Sequence, residues 1–179
     1  MKAKKTRRKP EKRAYGFVSY SSREPQVQLL IECLRLAFCP YIEVKLTPSD
    51  LSSGTSQLKQ IKQLIKNCLF AVVILDGFRP NVVFEFGMIV SIDRPLILLR
   101  ENDAKVDVST YYPNSANLNL TPVTIDLDNH LSDAKDLNYA LWSRFKVREN
   151  VRLIIQEYEK IMRNRSGYIQ IVREDLWFS

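Results

Sequence analysis

The chain has 179 residues, 45% of them hydrophobic and 26% charged, the balance of an ordinary globular protein with one core and little room for a second. No apolar run approaches the ~20 residues of a membrane span, and no apolar h-region follows the basic N-terminus, so neither an anchor nor a signal peptide is expected. Cys33, Cys39 and Cys68 form no Cys-x-x-Cys pair and suit reduced, buried thiols in a cytoplasm, while His130, the single histidine, argues against a His-based zinc or iron site.

The formal charge of +7 has one source. Residues 1–13 carry eight Lys/Arg against Glu11, a net of +7, which leaves 19 basic and 19 acidic residues in the rest of the chain. A neutral body with a basic tail is therefore expected. The tail reads as a disordered, solubilising leader that would bind a polyanion weakly, through phosphate charge alone.

The elements follow in chain order. Residues 14–20 (AYGFVSY) predict a short apolar strand. Pro25 then suits a first helical turn, and Val27, Leu30, Ile31, Leu34 and Phe38 make an amphipathic stripe that Pro40 ends. Residues 41–46 predict a second strand, and the turn formers of residues 47–54 (TPSDLSSG) a loop. Thr55 or Ser56 is a candidate cap for a helix with stripe Leu58, Ile61, Leu64 and Ile65. Residues 69–75 (LFAVVIL) are seven apolar residues without alternation, the pattern of a central parallel strand covered on both faces. A helix over residues 80–90 and a strand over residues 95–99 follow. Residues 101–121 predict a long loop or lid, residues 123–127 a fifth strand, and Val151, Ile154, Ile155, Tyr158, Ile161 and Met162 a closing helix. Residues 168–178 are open between strand and helix.

This succession predicts a single doubly wound, flavodoxin-like α/β domain over residues 14–179: a parallel sheet of about five strands, helices on both faces, and a C-terminal helical extension. Such sheets bind ligands beyond the carboxyl ends of their strands, where strand order reverses. Three segments are expected there: Tyr20-Ser21-Ser22, residues 47–54, and residues 76–81, which include Asp76, Phe78, Arg79 and Asn81. With five glycines and neither Gly-x-Gly-x-x-Gly nor a Walker sequence, ordinary dinucleotide and P-loop binding are disfavoured.

Residues 76–87 (DGFRPNVVFEFG) stand out, and Glu85 most of all. Its neighbours Val82, Val83, Phe84, Phe86, Met88, Ile89 and Val90 are apolar around the helix, so its carboxylate should be buried, at a cost that demands a partner. Donors from Tyr20, Ser21 or Asn81, the helix N-terminal amides, or an ion pair with Arg79 or Arg94 all remain open. Asn81 also reads as a helix cap and Asp76 as a turn residue. Gly87 is expected to admit another backbone at close range.

FVSYSS (residues 17–22), SSGTSQLKQIKQLIKNCLFAVVIL (residues 52–75) and RPNVVFEFGMIVSIDRPLILL (residues 79–99) together resemble Toll/interleukin-1 receptor (TIR) domains. The last segment resembles the PNV-x-x-E-L-G variant of prokaryotic TIR-like nucleotide-binding proteins. It is also similar to the Asp-Gly…Glu-Leu-Gly segment of the nucleoside 2-deoxyribosyltransferases. The resemblance implies a glutamate at the ribose, matched by Glu85, and an acid after the central strand that handles the base, matched by Asp76. It implies a nucleotide pocket lined by Ser19, Tyr20 and Ser21, with Phe78, Arg79 and Asn81 beside them. No permanently bound cofactor is implied; NAD or another nucleotide is the substrate or ligand, and self-association is a TIR-like partner mode.

The chemistry stands apart from the resemblance. N-glycosidic cleavage passes through an oxocarbenium-like centre that a nearby carboxylate stabilises or traps. NAD already carries a cationic leaving group and needs no strong acid, whereas base exchange must protonate a neutral base. The chain departs from the transferases by Asn81-Val82 in place of a small polar pair, has Phe86 where Leu is usual, and lacks the Ser-x-Trp-Cys of many TIR domains. The expectation is a TIR-like N-glycosidase acting on NAD or a related nucleotide in defence or signalling. The alternatives are a non-catalytic nucleotide sensor that self-associates, and a deoxyribosyltransferase.

Overall fold

Five short parallel strands make the sheet around which the chain is wound. The computed structural model describes residues 13–21, 25–46, 57–75, 79–101, 105–106, 123–124, 139–143 and 146–171. In chain order the elements are β1 (Tyr15–Ser19), α1 (Pro25–Phe38), β2 (Glu43–Leu46), α2 (Gln57–Asn67), β3 (Ala71–Leu75), α3 (Pro80–Ser91) and β4 (Leu96–Glu101). There follow β5 (Lys105–Val106), β6 (Val123–Thr124), β7 (Tyr139–Trp142) and α4 (Val147–Met162). The main sheet has the order β2-β1-β3-β4-β7, with every pairing parallel. Counting only its own strands, that is the 2-1-3-4-5 order of flavodoxin-like folds. The loop expected over residues 47–54 and the cap at Thr55 or Ser56 lie outside the described residues, as do residues 1–12. Among the described residues no helix is long and apolar enough to cross a membrane.

Period-2 alternation in the strands sorts the core into two layers. Val18, Val72, Ile74, Ile97, Leu99 and Trp142 face one side, where α1 supplies Val27, Leu30, Ile31, Leu34 and Phe38, and α4 supplies Val151, Ile154, Ile155, Tyr158 and Met162. Phe17, Ala71, Val73, Leu75 and Leu98 face the other, covered by Ile61 and Ile65 of α2 and Val82, Phe86 and Ile89 of α3. All five residues of β3 are buried, the reason its sequence shows no alternation. α4, expected as an extension, is half of one covering layer.

Gly16 of β1 answers to this packing. A Cβ there would lie 2.5 Å from the tip of the Phe70 ring, which is 2% exposed and held between Phe38 and Tyr158.

The fifth strand is a correction. Val123 and Thr124 pair antiparallel with Val106 and Lys105 in a separate two-stranded ladder, and the fifth strand of the main sheet is β7. β7 forms an edge, so only one of its faces needs to be apolar: Trp142 is buried while Leu141 is half exposed. Four residues with one buried face lack the continuous apolar run that marks β3. Of the loop or lid expected over residues 101–121, Glu101 ends β4 and residues 105–106 form β5, and the remainder lies outside the described residues. Of the ambiguous C-terminal segment, residues 168–171 are neither strand nor helix.

Cys68, between α2 and β3, donates its thiol to the carbonyl of Ile65 at 3.1 Å. Burial, only partly offset by Arg94, pushes this thiol up from 9.0 to about 11. An unfolded chain releases this proton near 9.0 and the folded one near 11, so between those values the unfolded state binds fewer protons. Stability from Cys68 is therefore intact below about pH 9 and falls by about 2–3 kcal/mol as pH rises towards 11. Denaturant titration at about pH 8 and about pH 11 checks this, because Cys68→Ala should lose less stability across the interval than the parent chain. Equal losses in both proteins would remove the assignment.

Candidate functional site

Strand order reverses between β1 and β3: the chain leaves β1 for β2 at one edge and leaves β3 for β4 towards the other. Ser19 is the last residue of β1. It follows Phe17 by two, so its side chain shares Phe17's face, the one covered by α2 and α3. α3 starts with Arg79 as N-cap and Pro80 in its first turn, where the missing N–H costs nothing. Val82, Phe86 and Ile89 form the buried stripe of this helix, and Glu85 belongs to that stripe. A helical side chain leans towards the helix N-terminus, here the carboxyl end of the sheet.

The two side chains meet. Ser19 Oγ donates a short hydrogen bond to Glu85 Oε2, with Ser19 fully buried and Glu85 4% exposed. A hydrogen bond to a charged acceptor contributes about 1.5–3 kcal/mol, which offsets part of the cost of burying the carboxylate. Glu85 is six residues into the helix, beyond the first turn in which the helix dipole acts most strongly, so the hydroxyl matters more here than the dipole.

The surroundings of Glu85 differ from the expectation in three ways. α3 is not enclosed on all sides: Phe84 and Val90 are 54% and 45% exposed. Glu85 is buried because it lies on the sheet-facing stripe. Arg94 takes no part, since it donates instead to the carbonyls of Lys66 and Cys68 at the C-terminal end of α2. Asn81 is exposed in the first turn and is not the cap, a place held by Arg79 with no side-chain cap bond.

Ser21 is buried at 5% exposure, and Arg79 is half-buried at the mouth of α3. Tyr20 packs against the opposite layer, where burial first and Glu32 second raise its phenol pKa, against the pull of Arg35 on α1. Asp76 and Phe78 lie outside the described residues. Of the eight expected site residues, Ser19 and Glu85 form a buried hydrogen-bonded pair. The residues alone offered Tyr20, Ser21 or Asn81, the helix N-terminal amides, or Arg79 or Arg94 as partners of Glu85, and the serine that does donate to it, Ser19, was not among them. The signal for Ser19 was there: it is a polar residue at the carboxyl end of an apolar strand, two residues after Phe17.

Gly87 was expected to admit a close backbone, and none comes near: a Cβ there would meet nothing within 4 Å. Gly87→Ala should therefore raise stability by about 0.5–1 kcal/mol, since alanine loses less backbone entropy in a helix. A urea midpoint at or below that of the parent would show that the position is sterically filled.

These features define a class, a flavodoxin-like α/β domain with a buried serine–glutamate pair at its switch point. Among solved structures, the chain is similar to the TIR domains in the structure of the activated Roq1 resistosome directly recognizing the pathogen effector XopQ. The TM-score is 0.49 and the identity 14%, over 80% of this chain and 98% of that one. No protein-family model and no curated protein matches the chain.

Proposed function

We propose that this domain is a nucleotide N-glycosidase that cleaves the nicotinamide–ribose bond of NAD or a related nucleotide. The observation that carries the reading is the buried Glu85 carboxylate, bonded to Ser19 at the strand-order reversal. Ligands collect at that point in open parallel sheets, and an acceptor-only carboxylate there suits a developing oxocarbenium charge. Ser19 holds one oxygen of Glu85 in place, which fixes the carboxylate at the carboxyl end of the sheet. Nicotinamide leaves as a neutral base from a cationic ring, so the scheme needs no general acid from the protein. Activity of this kind fits a role in defence or signalling, with self-association as its control.

A second reading, a nucleotide sensor without turnover, draws on the same pair. Glu85 is 4% exposed, and a carboxylate so enclosed holds a ribose hydroxyl more readily than it reaches an anomeric carbon. Incubating the purified chain with NAD at high protein concentration and following nicotinamide release separates the two. Release supports the glycosidase. Binding by calorimetry without release supports the sensor, and base exchange between a deoxynucleoside and a free base points to a transferase.

A further inference from the structure

At the other end of the sheet, away from Ser19 and Glu85, the amino ends of β1 and β2 and the flank of α2 enclose an open groove of about 1030 Å3. Arg13, Lys45 and Lys59 line it, with the amides Gln60, Gln63 and Asn67 along the α2 wall. α2 has no acidic residue among QLKQIKQLIKN, and its three lysines are all exposed. At about 100° per residue Lys59, Lys62 and Lys66 fall within an arc of about 60°, a stripe that meets the groove at Lys59 and continues along the flank of α2 turned away from it. Three cations (Arg13, Lys45, Lys59) line the groove beside one carboxylate, and Lys62 and Lys66 extend the charge along the adjoining stripe of α2. That carboxylate, Glu43, already contacts Lys45 at 3.5 Å. Lys45 also sits 4.2 Å above the ring of Tyr15, whose hydroxyl donates to the Leu64 carbonyl at 2.9 Å, so the groove floor is pinned. Arg13 is fixed to the carbonyls of Cys39 and Pro40 at 2.7 and 3.1 Å, and the seven other cations of residues 1–13 precede it in the chain.

We propose that this groove and the lysine stripe of α2 form a binding surface for single-stranded nucleic acid. Closely spaced cations displace condensed counterions along a phosphate backbone, the term that dominates such affinity. The carboxamides of Gln60, Gln63 and Asn67 offer paired donors and acceptors of the kind that read base edges. A membrane fits less well: the surface is concave, and none of the large apolar side chains exposed among the described residues lines it.

The test uses the full chain and a fluorescein-labelled oligouridine strand of about 20 nucleotides, with anisotropy measured across a salt series. Replacing Lys59, Lys62 and Lys66 together by Gln leaves the tail intact. It should weaken binding at least about 10-fold and flatten the slope of log K against log salt by about 2, near 0.7 for each contact. A control with Lys160, Arg163 and Arg165, exposed on and just after α4, all changed to Gln removes the same charge and should bind within about 2-fold of the parent. Unchanged binding by the α2 variant would assign the affinity to the tail alone and overturn the proposal. So would an equal loss in the control, which would make net charge the cause, or preferential binding of phosphatidylserine vesicles over the strand. Thermal melts of both variants establish that they are folded. Glu85→Gln should leave strand binding as it is, so this proposal and the glycosidase reading fail separately.

Discussion

Under the proposed glycosidase function, Glu85→Gln is expected to lower nicotinamide release from NAD by at least about 100-fold, the scale on which removal of one preorganised electrostatic group acts in a closed site. The substitution keeps the volume of the side chain and an oxygen able to accept from Ser19, so the buried contact survives while the charge is lost. The melting midpoint should therefore move by only a few degrees, which separates a chemical effect from unfolding. Ser19→Ala is the companion. It leaves the carboxylate charged but without its serine donor, and should lower turnover less than Glu85→Gln does. Turnover by Glu85→Gln at the parental rate, by a protein that melts normally, would remove Glu85 from the reaction.

The largest expected effect on stability is at Tyr158, far from that pair. Its ring lies 5.6 Å from Phe38, edge to face, and 4.8 Å from Phe70, with Tyr168 at 6.1 Å on a further side. Its hydroxyl donates to the carbonyl of Ile169 at 3.0 Å and accepts from the amide of the same residue at 3.2 Å. Truncation to alanine would open a cavity beneath both α1 and α4 and cost about 3–5 kcal/mol. Tyr158→Phe keeps the packing and strands the two backbone groups of Ile169, at about 1–3 kcal/mol. Calorimetric unfolding should rank parent, Phe and Ala in that order. A Phe variant as stable as the parent would mean that the C-terminal segment is held by packing alone.

The order of strands and helices up to residue 100 was legible in the sequence because each element there carries its own periodic signal. Residues 25–38 repeat at helical spacing, and residues 71–75 are apolar throughout because both faces of β3 are covered. The start of α3 follows from Pro80 in its first turn. β7 was not legible. An edge strand of four residues with one buried face has neither a long apolar run nor enough repeats to show alternation. Residues 123–127 were apolar enough to take its place in the reading, although Val123 and Thr124 pair elsewhere.

For the site, composition and spacing alone singled out Glu85, since a carboxylate among seven apolar neighbours is costly and demands a reason. They also located the excess charge in residues 1–13. Which hydroxyl meets the carboxylate was decided by tertiary structure. Placing β1 beside β3 brings Ser19 to Glu85, 66 residues away in the chain, and no local pattern encodes a contact across that separation. Tertiary structure also turned Tyr20 to the opposite layer, left Gly87 in open space, and set Lys45 beside α2. Periodicity reports which face of an element is apolar; only the packing of the elements reports what that face meets.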